Sequence, residues 1–310
     1  MKRQIGYLIV SSLLVGCTAV KQVPAKAELP EVRATALATS QSSDVEKLSP
    51  LTEIELGKTR VGVPALQQAK VVGVTRMEKL EGEGFSALSE SGSLPIFEAF
   101  AAAEPNPSFN GSDFQKLMPE SEVRVGEVFQ LNPQVFETFL KPIHPNVVTS
   151  LDRDGSGAYG LLRAFNDNSL DFIYRVHAQF VIAEDVIVSP AQFDGTLRVN
   201  RKTGAIESFS FRVPTTHQKN VNFEVQRDDF LVGMVFVPKM EVTSQSEPQE
   251  LTHWTESVEV AGGRKALAER FFAFESIHWR SLPEALEVAR QQKKPIFAIV
   301  IEGVLNDQSC

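Results

Sequence analysis

The stretch Phe172-Ile173-Tyr174-Arg175-Val176-His177-Ala178-Gln179-Phe180 decides the fold class. Phe172, Tyr174, Val176, Ala178 and Phe180 share one parity; Ile173, Arg175, His177 and Gln179 share the other. Successive side chains of a strand point to opposite faces, so this period of two predicts a half-buried antiparallel strand. The period recurs downstream. Residues 196–200 and 206–213 flank Arg201-Lys202-Thr203-Gly204, a hairpin connection in which glycine supplies a positive φ. Val221, Phe223 and Val225 alternate again, and 232–237 is a further strand candidate. Residues 243–250 are polar and predict a loop. The centre of the chain is expected to be a mostly antiparallel meander.

On either side of it the period becomes helical. Ile96, Phe97, Phe100 and Ala101 have helical spacing, and Phe114 to Met118 predicts a short helix. Val135, Phe136, Phe139 and Leu140 form another helical face, started near Asn132-Pro133 and stopped by Pro142. After the meander, Ala266, Leu267, Arg270 and Phe271 to Phe274 predict a helix. Ser281-Leu282-Pro283-Glu284 is a capping box, followed by the apolar stripe Leu282, Ala285, Leu286 and Ala289. Lys293-Lys294-Pro295 ends that helix, and the apolar run 296–301 reads as a strand buried on both faces. The fold class is therefore α+β. A central, mostly antiparallel body with flanking helices (94–262) leads into 263–310, the opening part of a thioredoxin-like α/β domain. In such folds a redox cysteine sits after the strand, at the N-terminus of the next helix, where the dipole stabilises thiolate. Cys310 holds that place.

The start of the chain carries an address. Lys2 and Arg3 precede an apolar stretch over residues 5–15. Such a stretch is too short for a hydrocarbon core of about 30 Å. It reads as a processed signal rather than a retained span. Leu14-Val15-Gly16-Cys17 resembles the lipobox of bacterial lipoproteins, in which the cysteine is acylated and becomes the new N-terminus. Residues 1–16 are thus expected to be a signal peptide, and Cys17 the site of lipidation. An ordinary secretory signal with a chance cysteine is the alternative. Thr18 rather than Asp after the cysteine favours the outer membrane, on its periplasmic side. Residues 17–93 are read as a lipidated, largely flexible tether: residues 18 to about 50 hold no aromatic residue and cannot bury enough surface to fold.

The net charge is −8, and loss of Lys2 and Arg3 takes it to −10. An acidic chain has no electrostatic reason to bind nucleic acid or an anionic surface. Anchoring would rest on the acyl chains. Cys17 and Cys310 are the chain's two cysteines. With lipid on Cys17, Cys310 is a lone thiol and no internal disulfide forms.

Other motifs point to no cofactor and no metal. Gly155-Ser156-Gly157-Ala158-Tyr159-Gly160 matches G-x-G-x-x-G, but 161–165 runs straight into Asn166-Asp167-Asn168 and leaves no room for the helix that pyrophosphate needs. Asp152, Asp154 and Ser156 match the first half of a calcium loop, yet the twelfth position is Arg163, where a bidentate carboxylate is required. A solvated acidic turn is the reading. The five histidines, His177 among them, are spread without metal-ligand spacing and read as structural.

Several stretches taken together resemble the selenoprotein N family, from about residue 94 to the last. They are Val125-Gly126-Glu127-Val128-Phe129-Gln130, Phe139-Leu140 with His144-Pro145-Asn146, the stretch 172–180, Ser189-Pro190-Ala191-Gln192-Phe193, and Val237-Pro238-Lys239-Met240-Glu241. The most specific is Leu305-Asn306-Asp307-Gln308-Ser309-Cys310. In that family Asp-Gln-Ser-Cys is followed by selenocysteine, glycine and the rest of a thioredoxin-like domain. The resemblance implies that a UGA codon follows Cys310, a genuine truncation being the alternative, and that the intact product is a thiol/selenol-disulfide oxidoreductase in which Cys310 pairs with selenocysteine. It implies an unidentified thiol or disulfide substrate. The family's vertebrate members are endoplasmic reticulum proteins with an EF-hand, linked to redox regulation of a calcium pump. This chain departs there, with a lipoprotein signal and no complete EF-hand, so that calcium role is not carried over. The rival expectation is a non-enzymatic lipoprotein whose β body docks a partner or ligand, with Cys310 incidental.

Overall fold

The computed structural model describes residues 54–78, 95–96, 99–150, 157–184, 186–190, 192–214, 221–225, 231–235, 239–245, 253–271 and 280–296. In chain order the strands are β1 (Arg60–Val61), β2 (Lys70–Met77), β3 (Ser108–Asn110), β4 (Val123–Arg124), β5 (Val128–Gln130) and β6 (Val147–Val148). The meander follows with β7 (Ala158–Phe165), β8 (Ser169–Val176), β9 (Gln179–Ala183), β10 (Val186–Pro190), β11 (Phe193–Asn200) and β12 (Ile206–Arg212). Then come β13 (Val221–Val225), β14 (Leu231–Val235), β15 (Met240–Ser244) and β16 (Glu256–Ser257). The helices are α1 (Gly111–Gln115), α2 (Glu137–Leu140), α3 (Val260–Ala268) and α4 (Leu282–Gln292), with a 3-10 turn at Pro133–Phe136 leading into α2.

A large sheet runs in the order β16-β7-β8-β11-β12-β15-β2-β3, with β5 also on β7. A second sheet has the order β14-β13-β10-β9-β6, and β1 pairs with β4 apart from both. Every pairing is antiparallel. The protein is mixed α+β, mostly antiparallel with few helices, as its alternation requires.

The core lies between the large sheet and the short helices before it. Phe109, Phe172, Tyr174, Phe209 and Phe211 come from the sheet; Phe114, Phe136 and Phe139 come from α1, the 3-10 turn and α2, and all eight are buried. Ring centres lie 5.1 Å apart for Phe114–Phe209 and for Phe139–Phe211, and Phe136 meets Phe211 edge-on at 5.6 Å. Offset and edge-to-face contacts at such distances suit the aromatic quadrupole. Room for Phe211 and Tyr174 exists because β11 offers Gly195: a Cβ there would lie 2.8 Å from Phe211 and 2.9 Å from Tyr174. The Tyr174 hydroxyl donates to the Leu117 carbonyl at 3.2 Å.

Local signals behave as the residues dictate. Asn132 caps its turn by accepting from the Gln134 N–H at 3.0 Å, with Pro133 in the first position. Ser281 and Glu284 form the capping box that starts α4, and Lys293 ends it with φ 56°. Gly204 has φ 71°, and Asn200 Oδ1 holds the hairpin by accepting from the Lys202 and Thr203 N–H groups at 3.1 and 3.0 Å. The start of α1 is capped by Asn110 and Asp113, a box not anticipated from the sequence.

Four expectations change. The stretch 172–180 is two strands: β8 ends at Val176, and β9 starts at Gln179 and joins the second sheet. Nor is β8 half-buried. Every one of its residues is buried, because α3 covers the second face at Ile173. The large sheet also begins earlier than residue 94. Residues 70–77, placed in the flexible tether, form β2, which pairs with β15 and β3 and donates further backbone hydrogen bonds from Gly73 and Thr75 to the Pro107 and Pro105 carbonyls. Its aliphatic residues show no clear period alone; the pairing on both sides makes it a strand. Last, the polar run from 243 starts inside β15, where Thr243 pairs with Ser210 and Val74.

Candidate functional site

Cys17 and Cys310 lie outside the described residues, as do Asp152, Asp154, Ser156, Gly155 and residues 297–310. Of the G-x-G-x-x-G match, Gly157 leads directly into β7, so no helix follows to receive a pyrophosphate. Arg163, at the twelfth position of the calcium-like run, is committed to an ion pair with Asp171. His177 is buried just after β8, its N–H bonded to the Gly157 carbonyl at 3.2 Å. Among the described residues no group of three His, Cys, Asp or Glu side chains could hold a metal, and no helix is long and apolar enough to cross a membrane.

Chemistry concentrates on the face of the large sheet opposite the phenylalanine core. One rung of paired residues crosses six strands: Tyr159, Arg175, Asp194, Arg212, Glu241 and Arg76. Signs alternate from Arg175 to Arg76, which suits residues directly opposite in a sheet. Glu241 receives Arg76 at 3.1 Å and Lys239 at 3.5 Å. The next rung is Leu161, Ile173, Thr196, Ser210, Thr243 and Val74, in which the Thr196 and Ser210 hydroxyls share a hydrogen bond of 3.0 Å. Beyond it stand Asp171 and Arg198. The β7–β8 register slips between Leu162 and Ala164, and Arg163, at that irregularity, reaches Asp171. Trp254 lies against both guanidiniums, 5.0 Å from Arg163 and 5.4 Å from Arg198.

The helix that opens the cysteine-bearing segment docks on this face. α3 packs on β7 and β8, with Leu267 buried against Leu161 and Ile173. Gly263 allows the approach, since a Cβ there would lie 2.6 Å from Ile173 Cδ1. Phe271, just past the helix, meets Tyr159 edge-on at 5.2 Å and lies under the Arg175 guanidinium at 5.7 Å. Arg264 reaches from α3 to Asp194 at 3.5 Å. Burial pushes the Asp194 carboxyl above the usual range, and Arg264, Arg175 and Arg212 pull it back. Ahead of α3, in β16, Glu256 accepts from the Lys58 N–H at 2.9 Å and from Thr59 N–H and hydroxyl at 3.2 and 2.5 Å. That clasp ties the N-terminal segment beside a cleft of about 530 Å³ lined by Ile54, Leu56, Val125, Val258, Glu259 and Gly262.

The segment after it is differently held. α4 buries none of its residues, and Leu282 and Leu286 of its apolar stripe are 61% and 40% exposed. A second, mainly apolar cleft of about 410 Å³ lies between Ile96, Phe100, Ile182 and His144. His144 Nδ1 accepts from the Asn146 N–H at 3.3 Å, and burial lowers its pKa. Sequence reading missed Asp171, Asp194, Arg198, Trp254 and Arg264. The available signal was parity: Asp171, Arg175, Asp194 and Arg198 all fall on the polar parity of their strands.

Comparison with known proteins finds similarity to selenoprotein N. The chain is 22% identical to selenoprotein N of Homo sapiens over 287 residues, covering 74% of this chain and 49% of that protein. For selenoprotein N of Mus musculus the identity is 21%, covering 74% and 52%. For that of Danio rerio it is 20% over 288 residues, with the same coverage. The chain spans about half the length of the curated relatives it matches. No family model and no solved structure matches it.

Proposed function

Starting from a chain that is selenoprotein N-like over about three quarters of its length, we propose that it belongs to a lipid-anchored envelope protein that works as a thiol/selenol-disulfide oxidoreductase. The observation that carries the reading is the run Asp307-Gln308-Ser309-Cys310 at the end of the capped-helix and apolar-strand pattern. The relatives' name says that they carry selenium, and this reading gives the position after Cys310 to selenocysteine. The selenolate attacks one sulfur of a substrate disulfide and releases the other as thiolate. The Cys310 thiolate then attacks selenium and releases the second substrate thiol. Two electrons pass to the substrate, a Cys310–selenocysteine bond remains, and an external dithiol reduces it. Cys17 carries the lipid, and the chain sits on the periplasmic side of the outer membrane. This follows from Leu14-Val15-Gly16-Cys17 and Thr18.

The experiment is insulin-disulfide reduction with dithiothreitol by a protein extended with cysteine at the position after Cys310 and the downstream half of the relatives' sequence. Multiple turnovers that disappear with Cys310→Ser support the reading. A folded extended protein that shows none overturns it.

A further inference from the structure

The apolar contacts under α3 do not fix its orientation by themselves. Leu267 and Ala268 supply burial, which is non-directional, and Gly263 presents no side chain to lock. A helix held only in that way can roll on the sheet. The lateral contact is different in kind. Asp194 is buried on the sheet, held in register between Arg175 and Arg212, and so has a fixed place. Arg264 is the described helical side chain that reaches it.

We propose that Asp194 is a positioning residue: through Arg264 it sets the rotation of α3 on the sheet, and thereby where the chain leaves the body toward Cys310. The consequence for Cys310 rests on the redox reading above, whereas the orientation of α3 does not. The Arg264–Asp194 ion pair, 3.5 Å between Nε and Oδ2, ties the helix to one fixed point on the sheet, which non-directional apolar burial does not do. Arg175 adds a second fixed point on the same rung, because its guanidinium covers Phe271 at the far end of the helix. α3 is thus registered against two charged residues of one rung, on two neighbouring strands.

The test uses the full 310-residue chain and hydrogen exchange of the α3 amides, with the β8 and β11 amides as an internal check of folding. Arg264→Ala and Asp194→Asn should each speed α3 exchange by about three- to fivefold, the scale of a partly exposed ion pair. The double variant should be no faster than either single one. Arg264→Lys should restore most of the protection. Leu267→Ala is the packing control: it should loosen α3 strongly, and Lys at position 264 should not rescue it. In a second arm, iodoacetamide alkylation of Cys310 should change at least twofold in Arg264→Ala and return toward the original rate in Arg264→Lys. Unchanged α3 exchange in both single variants, or fully additive effects, would overturn the positioning role. Altered exchange with an unaltered Cys310 rate would overturn the link to the tail. Neither result depends on whether the extended protein reduces insulin.

Discussion

Arg163 and Arg198 hold the two oxygens of one carboxylate: Arg163 Nε bonds Asp171 Oδ2, and Arg198 Nε bonds Asp171 Oδ1 at 3.0 Å. All three side chains are largely buried, and both guanidiniums lie against Trp254. A buried pair adds little over a well-packed apolar substitute, but removal of one member strands the rest. Asp171→Ala leaves two guanidiniums facing each other under an indole. It should cost on the order of 3 kcal/mol, read as a lowered urea midpoint. In a Trp279→Phe background the emission of Trp254 should shift as its cationic neighbours rearrange. A midpoint unchanged within error would show that the cluster is solvated in practice.

Asp194 gives the pH dependence. Burial raises its pKa above the unfolded value, so the folded protein holds that proton more tightly than the unfolded chain. Stability from the bound proton is present below the unfolded pKa of about 3.9 and is lost as pH rises through the higher folded pKa. Asp194→Asn removes this dependence. The wild type should lose stability relative to the variant as pH rises from acid through the folded pKa. Urea titrations of both proteins at several pH values check the sign. A wild type that gains stability over the variant as pH rises would contradict it.

Gly204 is placed by two constraints at once. Its φ is 71°, and a Cβ there would lie 2.1 Å from the Ala65 carbonyl oxygen, where the Gln67 N–H also bonds back to the Gly204 carbonyl. Gly204→Ala must both adopt a left-handed backbone and displace residues 65–66. The expected cost exceeds the roughly 1 kcal/mol of the conformation alone. Thermal unfolding should show a clear drop in Tm; a drop no larger than that of alanine at the open Gly262 would sink the claim.

The glycine shows what the sequence made legible. The hairpin at 201–204, the cap at Asn132 and the box at Ser281 were all readable because each depends on two to four neighbouring residues. Alternation likewise gave the fold class. What escaped was set by pairing between distant segments. The strand β2 is defined by β15, about 165 residues away. The burial of β8 on both faces depends on α3, and the break after Val176 depends on a second sheet that takes β9. The charged rung has the same origin. Of its members only Arg175 and Arg212 lay in expected strands, and only the register places Asp194 between them.

Anchoring has a direct readout. Leu14-Val15-Gly16-Cys17 calls for acylation, so the protein expressed in a bacterial host should incorporate radiolabelled palmitate and sediment with membranes. Cys17→Ser should abolish both. A wild-type product that is unlabelled and stays in the supernatant removes the lipid from the proposed function without touching the redox half.

The redox half can be probed on the 310-residue polypeptide itself. Its two cysteines are Cys17 and Cys310, and lipid occupies the first in the proposed product. Release of a mixed disulfide needs a second thiol or selenol beside the first. Cys310 alone can attack a disulfide once and is then held as the adduct. An ordinary cysteine has a pKa near 8.5, so only a few per cent is thiolate at neutral pH and attack should be slow. With glutathione disulfide, the soluble Cys17→Ser form should therefore take up about one glutathione per chain and stop, with mass spectrometry showing the adduct on Cys310. Insulin reduction should stay at the background rate of the reductant. The extended protein, with a partner at the next position, should cycle instead. Repeated turnover by the 310-residue form, lost in Cys310→Ser, would mean that some other group in this chain resolves the adduct, and that the pairing proposed for Cys310 is wrong.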